Sequence, residues 1–120
     1  MEFLLHITVT WPPDGDPDEK ARRIAAERAR ALELAAEGII KRVWRIPGQW
    51  ANWGLWEATD ATAVHDAVTS LPMWPYLDVE VYPLAAHPND PGGGTQRERT
   101  SAPPVPSQPP GGSNGPATTG

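Results

Sequence analysis

Over residues 2–11 apolar side chains fall on every second position. Phe3, Leu5, Ile7 and Val9 share one side and Leu4, His6, Thr8 and Thr10 the other, the period of a strand with one buried face. The second side is only half polar, which predicts that it is partly covered too. Pro12-Pro13-Asp14-Gly15 breaks the strand. Asp16-Pro17-Asp18-Glu19 then starts a helix, with Asp16 as N-cap, Pro17 in the first helical position and acids in the first turn. The helix is expected to reach about Glu37 and to stop at Gly38. On a helical wheel its apolar arc is Ile24, Ala35, Ala21, Leu32, Ala25, Ala31 and Leu34. Two charges interrupt that arc, Glu27 between Ala31 and Leu34 and Arg28 between Ala35 and Ala21. Each must be buried with a partner, face a cavity, or run its long side chain out to water.

Residues 39–46 and 50–57 read as two further strands joined by a Pro47-Gly48 turn, with Asn52, Gly54 and Trp56 on one face of the second and Trp53, Leu55 and Glu57 on the other. Thr59 or Asp60 caps a short helix carrying Val64, Ala67, Val68 and Leu71, which Pro72 ends. Met73-Trp74-Pro75-Tyr76 is a rigid connection to a last strand over residues 77–84, with Leu77, Val79 and Val81 on one face. The order β-α-β-β-α-β predicts a ferredoxin-like α+β fold, an antiparallel sheet with both helices on one face. Two such sheets packed face to face make a dimeric α+β barrel.

Composition changes the picture at one place. Beyond His87 the chain is Pro-, Gly-, Ser- and Thr-rich, and Val105 is its only large aliphatic residue, so burial cannot offset the entropy of ordering it. The expectation is a folded domain over residues 1–87 and a disordered tail over 88–120, whose P-V-P-S-Q-P-P run offers a polyproline reading. The absence of cysteine excludes disulfides, thiolate metal sites and a Cys nucleophile. A net charge of −5 with mixed signs argues against nucleic acid, and no apolar run approaches the roughly 20 residues of a membrane span, so a cytoplasmic protein is expected. A domain this small is also expected to associate with copies of itself.

The chemistry-bearing stretch is residues 43–57, V-W-R-I-P-G-Q-W-A-N-W-G-L-W-E, with four of the six tryptophans. Indoles carrying a few fixed polar groups line small-molecule pockets, and they equally build cores and subunit interfaces. There is no Ser-His-Asp pattern, phosphate loop or metal-ligand spacing; His6, His65 and His87 lie on different elements. Acid–base chemistry remains. Glu27 is the candidate, because a carboxylate on an apolar helix face is more basic than usual and suited to taking and returning a proton. Asn52 and Arg45, on neighbouring strands, are candidates for holding an anion or a developing enolate oxygen.

Trp44-Arg45-Ile46, Gly48, Ala51-Asn52, His65-Asp66, Leu71-Pro72 and Pro75-Tyr76, with Asp78 and Glu80, together resemble the muconolactone Δ-isomerase family, in register from Met1 to about Pro88. Glu27, Glu33-Leu34 and Gly38 also fall where that family has them. The resemblance implies a cofactor-free enzyme of aromatic catabolism, assembled as a homo-oligomer, that shifts the double bond of a carboxymethyl-butenolide. It further implies that Glu27 moves the proton, Asn52 stabilises the dienolate oxygen, and Arg45 or Lys20 holds the substrate carboxylate. Gln49, Trp50, Trp53 and Tyr76 complete the expected substrate contacts. Gln49, Trp50 and Trp53 stand where the family usually has a histidine and two tyrosines, a loss of hydroxyl groups and a gain of bulk that points to a larger, more aromatic substrate. The competing functions are a cofactor-free monooxygenase or cyclase of the dimeric α/β-barrel type and a non-catalytic aromatic-binding scaffold.

Overall fold

The structure, a computed structural model, describes residues 1–92. It contains β1 (Glu2–Val9), α1 (Pro17–Ala36), β2 (Ile40–Arg45), β3 (Ala51–Glu57), α2 (Ala61–Thr69), a 3₁₀ turn (Trp74–Tyr76) and β4 (Leu77–Leu84). The chain divides into one unit over Met1–Ala85 and another over Ala86–Gly120. Within the described part of the second, Asp90 N–H donates to the His87 carbonyl at 3.0 Å. The expected disordered tail falls for the most part, residues 93–120, outside the described residues.

The helix boundaries follow from their caps. The Asp16 carboxylate accepts the Glu19 N–H at 2.9 Å and the Asp60 carboxylate accepts the Ala63 N–H at 2.9 Å, so Asp60 rather than Thr59 starts α2. At the other end of α1, Gly38 N–H donates to Ala35 O at 3.0 Å and Ile39 N–H to Leu34 O at 2.9 Å, the paired bonds of a Schellman motif. Gly38 has φ +83°, which that motif requires. Between β2 and β3, Gln49 N–H donates to Ile46 O at 3.1 Å across Pro47-Gly48, and Gly48 has φ +78°: a type II turn with proline and glycine in their preferred places.

The sheet order is β2-β3-β1-β4 and every pairing is antiparallel, the ferredoxin-like arrangement. Register assigns the faces. Phe3 opposes Trp56, Leu5 opposes Gly54 and Ile7 opposes Asn52, so Asn52, Gly54 and Trp56 share the side that Phe3, Leu5, Ile7, Leu34, Val64, Val68 and Leu71 bury. A Cβ at Gly54 would stand 2.7 Å from the Trp56 indole nitrogen, so the glycine is what lets that buried ring lie flat on its own strand. The other face carries Leu4, His6, Trp53, Leu55, Arg42, Trp44, Glu80 and Tyr82 by the same register. No helix of the described residues is long and apolar enough to cross a membrane.

One expectation about α1 is overturned. The face it turns to the sheet takes in only one edge of the apolar arc, Ala31 and Leu34, and continues through Arg23, Glu27 and Arg30; of these only Leu34 is fully buried. Ile24 and Leu32, in the middle of the expected arc, are 43% and 61% exposed, and Ala21, Ala25 and Ala35 are exposed beside them. Arg28 lies in this exposed arc, so of the outcomes expected for it the structure shows the one in which its side chain reaches water. The inward polar groups are tolerated because each is satisfied: Arg30 donates to Ser70 Oγ at 3.0 Å and pairs with Glu33 at 2.8 Å, while Arg23 and Glu27 bond the chain after α2.

Candidate active site

Glu27 is half-buried near the middle of α1, one turn beyond Arg23 and two beyond Lys20. Its Oε1 accepts the Met73 N–H at 2.9 Å. Burial pushes its carboxyl above the ordinary range, and the Met73 N–H partly offsets this by stabilising the anion. The result is a more basic carboxylate held by one backbone donor, suited to accepting a proton and giving it back.

Around it the chain after α2 supplies the wall. Tyr76 lies with its ring 4.5 Å from that of Trp11, and the Arg23 guanidinium sits 5.2 Å above the same tyrosine ring. Arg23 is further fixed by Glu19 at 2.8 Å and by the Pro72 carbonyl at 2.7 Å. Thr10 N–H donates to the Tyr76 carbonyl at 2.8 Å and Val9 N–H to the Trp50 carbonyl at 3.0 Å, which ties the end of β1 to both flanks. A Cβ on Gly15 would collide with the Trp11 indole. That indole's N–H is buried without an acceptor among the described residues.

Next to this wall a groove of about 600 Å³ is lined by Thr10, Trp11, Pro13, Gly15, Lys20 and Trp50, among others. The Lys20 ammonium stands 4.9 Å over the Trp50 ring, so this groove offers a cation beside two indoles. An anionic ring compound matches that lining.

The expected site residues do not all meet. Lys20 and Trp50 come together in the groove, and Tyr76 joins Trp11 and Arg23 beside it. Asn52 and Arg45 pair across β2 and β3 on the helix-facing side, which Glu27 also faces. Gln49 is exposed at the end of the type II turn. Trp53 departs from the rest: it lies on the opposite face of the sheet, its ring 4.7 Å from His6 and 6.3 Å from Tyr82, so within one chain it does not join Glu27. The sequence reading missed Arg23 and Trp11. Arg23 stands four residues from both Glu19 and Glu27, a helical spacing that could have flagged it.

A ferredoxin-like sheet with one half-buried carboxylate on a covering helix and a cation in an aromatic groove defines a small α+β protein equipped for acid–base chemistry on an anionic ligand. Comparison with known proteins carries this to a family. Residues 1–90 match the family model described as muconolactone delta-isomerase. The chain is 39% identical over 89 residues to the muconolactone delta-isomerase of Pseudomonas aeruginosa, covering 74% of this chain and 93% of that one. It is 34% identical over 88 residues to that of Rhodococcus opacus, covering 73% and 95%. A crystal structure of a muconolactone isomerase superposes with TM-score 0.71 at 37% identity, over 75% of this chain and 94% of that one. A 5-chloro-2-hydroxyhydroquinone dehydrochlorinase from Burkholderia phenoliruptrix, at TM-score 0.52 and 19% identity over 72% of this chain and 96% of that one, shares the fold. This chain belongs to the muconolactone delta-isomerase family.

Proposed function

We propose that this enzyme moves the carbon–carbon double bond of a muconolactone-like carboxymethyl-butenolide, without a cofactor, by proton transfer through Glu27. The Glu27 carboxylate removes a proton from the carbon beside the lactone carbonyl, and the electron pair passes into a dienolate whose oxygen takes the charge. Glu27, now neutral, returns a proton to the far end of the dienolate, so nothing is oxidised or reduced and the carboxylate is regenerated. Asn52 is the donor to the dienolate oxygen. Lys20 holds the substrate carboxylate in the groove, with Arg45 as the second cation on that side of the sheet. The proposal includes a homo-oligomer in the cytoplasm.

The observation that carries this reading is Glu27 itself: a half-buried carboxylate, more basic than usual, on the sheet-facing side of α1. Glu27→Gln keeps an acceptor for the Met73 N–H and removes the base. Its turnover of muconolactone should fall by roughly 10² to 10⁴-fold. The wild-type enzyme should exchange deuterium from solvent into the lactone with no uptake of oxygen. A Gln variant within a few-fold of wild type, or oxygen consumption coupled to turnover, overturns the proposal.

A further inference from the structure

We infer that Arg23 is a positioning residue for Glu27 and acts through a single peptide unit: Arg23 grips the carbonyl end of the Pro72–Met73 peptide while Glu27 takes its N–H. Arg23 Nη1 donates to the Pro72 carbonyl at 2.7 Å, and the Met73 N–H donates to Glu27 Oε1 at 2.9 Å. The Pro72 oxygen and the Met73 nitrogen belong to the same peptide group, which is trans, so the two groups point in opposite directions. Arg23 and Glu27 stand one helical turn apart on the same face of α1, a rise of about 6 Å, and therefore reach the two ends of that group. The inference rests on Glu27 as the proton carrier.

Most of the Arg23 guanidinium is engaged by the protein itself. Its Nε is committed to Glu19 at 2.8 Å, its Nη1 to Pro72, and its face to the Tyr76 ring at 5.2 Å. What it does is polarise the peptide: a cation on the carbonyl oxygen draws electron density from the N–H and makes it a stronger donor. That donor fixes Oε1. Oε2 accepts no hydrogen bond from any described residue and is left to handle the proton. The peptide is also held rigidly, since Trp74 N–H bonds Leu71 O at 2.9 Å and Tyr76 N–H bonds Met73 O at 2.7 Å. Burial raises the basicity of Glu27 and the peptide restrains it, so Arg23 sets how far the two offset each other. The other half-buried titratable groups here are Glu19, Lys20 and Arg30 on α1 and Tyr76 in the connection; those of α2, His65 and Asp66, and of β2, Lys41, Arg42 and Arg45, are exposed.

The test is the pH profile of kcat/KM with muconolactone for wild type, Arg23→Met and Arg23→Lys. Losing the cation weakens the Met73 donor, so the acid limb, where Glu27 must be ionised, should move up by roughly half to one pH unit in Arg23→Met. Arg23→Lys, which keeps a charge near the carbonyl, should move it less. Away from the limb, kcat should fall more than KM rises, because Arg23 acts through Glu27; a rise in KM with kcat unchanged would make Arg23 a substrate contact instead and overturn the inference. An acid limb that stays in place while circular dichroism shows a folded variant overturns the inference. If Arg23→Met does not fold, Arg23→Lys carries the same comparison, with a smaller shift expected and an unmoved limb as the contrary result. Glu27→Gln separates the two claims. Full activity in that variant removes the proposed function, whereas its inactivity together with an unmoved Arg23 limb removes the role of Arg23 alone.

Discussion

At the level of a single side chain, the feature that suits Glu27 to its proposed role also bears on stability. Because burial holds its carboxyl above the ordinary range, the folded state binds this proton more tightly than the unfolded chain does. Stability from this group is complete below the ordinary carboxylate pKa and is lost as pH rises through the folded value. Glu27→Gln resembles the protonated form and keeps the Met73 bond, so the variant should gain stability relative to wild type between pH 4 and pH 7. Urea unfolding at the two pH values checks this; a difference that stays constant would show that Glu27 binds its proton no more tightly folded than unfolded. The cation can be tested at the same scale. Lys20→Met removes the charge from the groove and should raise KM by roughly ten-fold or more with a smaller change in kcat. Arg45→Met, outside the groove lining, should raise it less, and the reverse order in steady-state kinetics would move the carboxylate to Arg45.

Among the elements, those legible from the sequence were the ones whose signals are local. The caps at Asp16 and Asp60, the Pro47-Gly48 turn and the alternation in β1 each depend on a few neighbouring residues, and each forms as its residue types dictate. The orientation of α1 was not legible. Its alanines spread apolar surface so widely that the wheel shows a broad arc, whereas the part that meets the sheet is marked by contacts distant in sequence: Leu34 in the core, and Arg23 and Glu27 on the Pro72–Met73 peptide after α2. For the same reason the faces of strand residues were legible by parity, as with Asn52, whereas the partners of Glu27 were not. Trp53 shows the limit of proximity in sequence: it is one residue from Asn52 and on the other side of the sheet. The β2–β3 turn offers a clean element-scale test. A Cβ at Gly48 would meet nothing within 4 Å, so Gly48→Ala costs only the left-handed backbone, about 1 kcal/mol. A urea midpoint unchanged in that variant would mean that the turn relaxes to another type.

At the scale of the folded unit, the described residues leave two apolar surfaces exposed, on opposite sides. One is the arc of α1 around Ile24 and Leu32. The other is the outer face of the sheet, where Trp44 is 42% and Tyr82 45% exposed beside Trp53 and Leu55. Scattered exposed apolar residues are ordinary, but contiguous patches on both layers of a unit of about 85 residues are not. A covering sheet from a second copy would bury the outer face, and a further copy the helix arc, which supports assembly beyond a dimer. Placing a charge in each surface separately distinguishes them. Trp44→Glu should break the contact made through the sheet and Leu32→Glu the contact made through α1, each lowering the particle mass measured by light scattering while circular dichroism is unchanged. If both variants keep the wild-type mass, neither surface joins copies of the chain; if only one lowers it, the other patch is left to a different partner. Loss of mass with loss of turnover in Trp44→Glu would further show that the site is complete only in the assembly, as the position of Trp53 across the sheet from Glu27 leads one to expect.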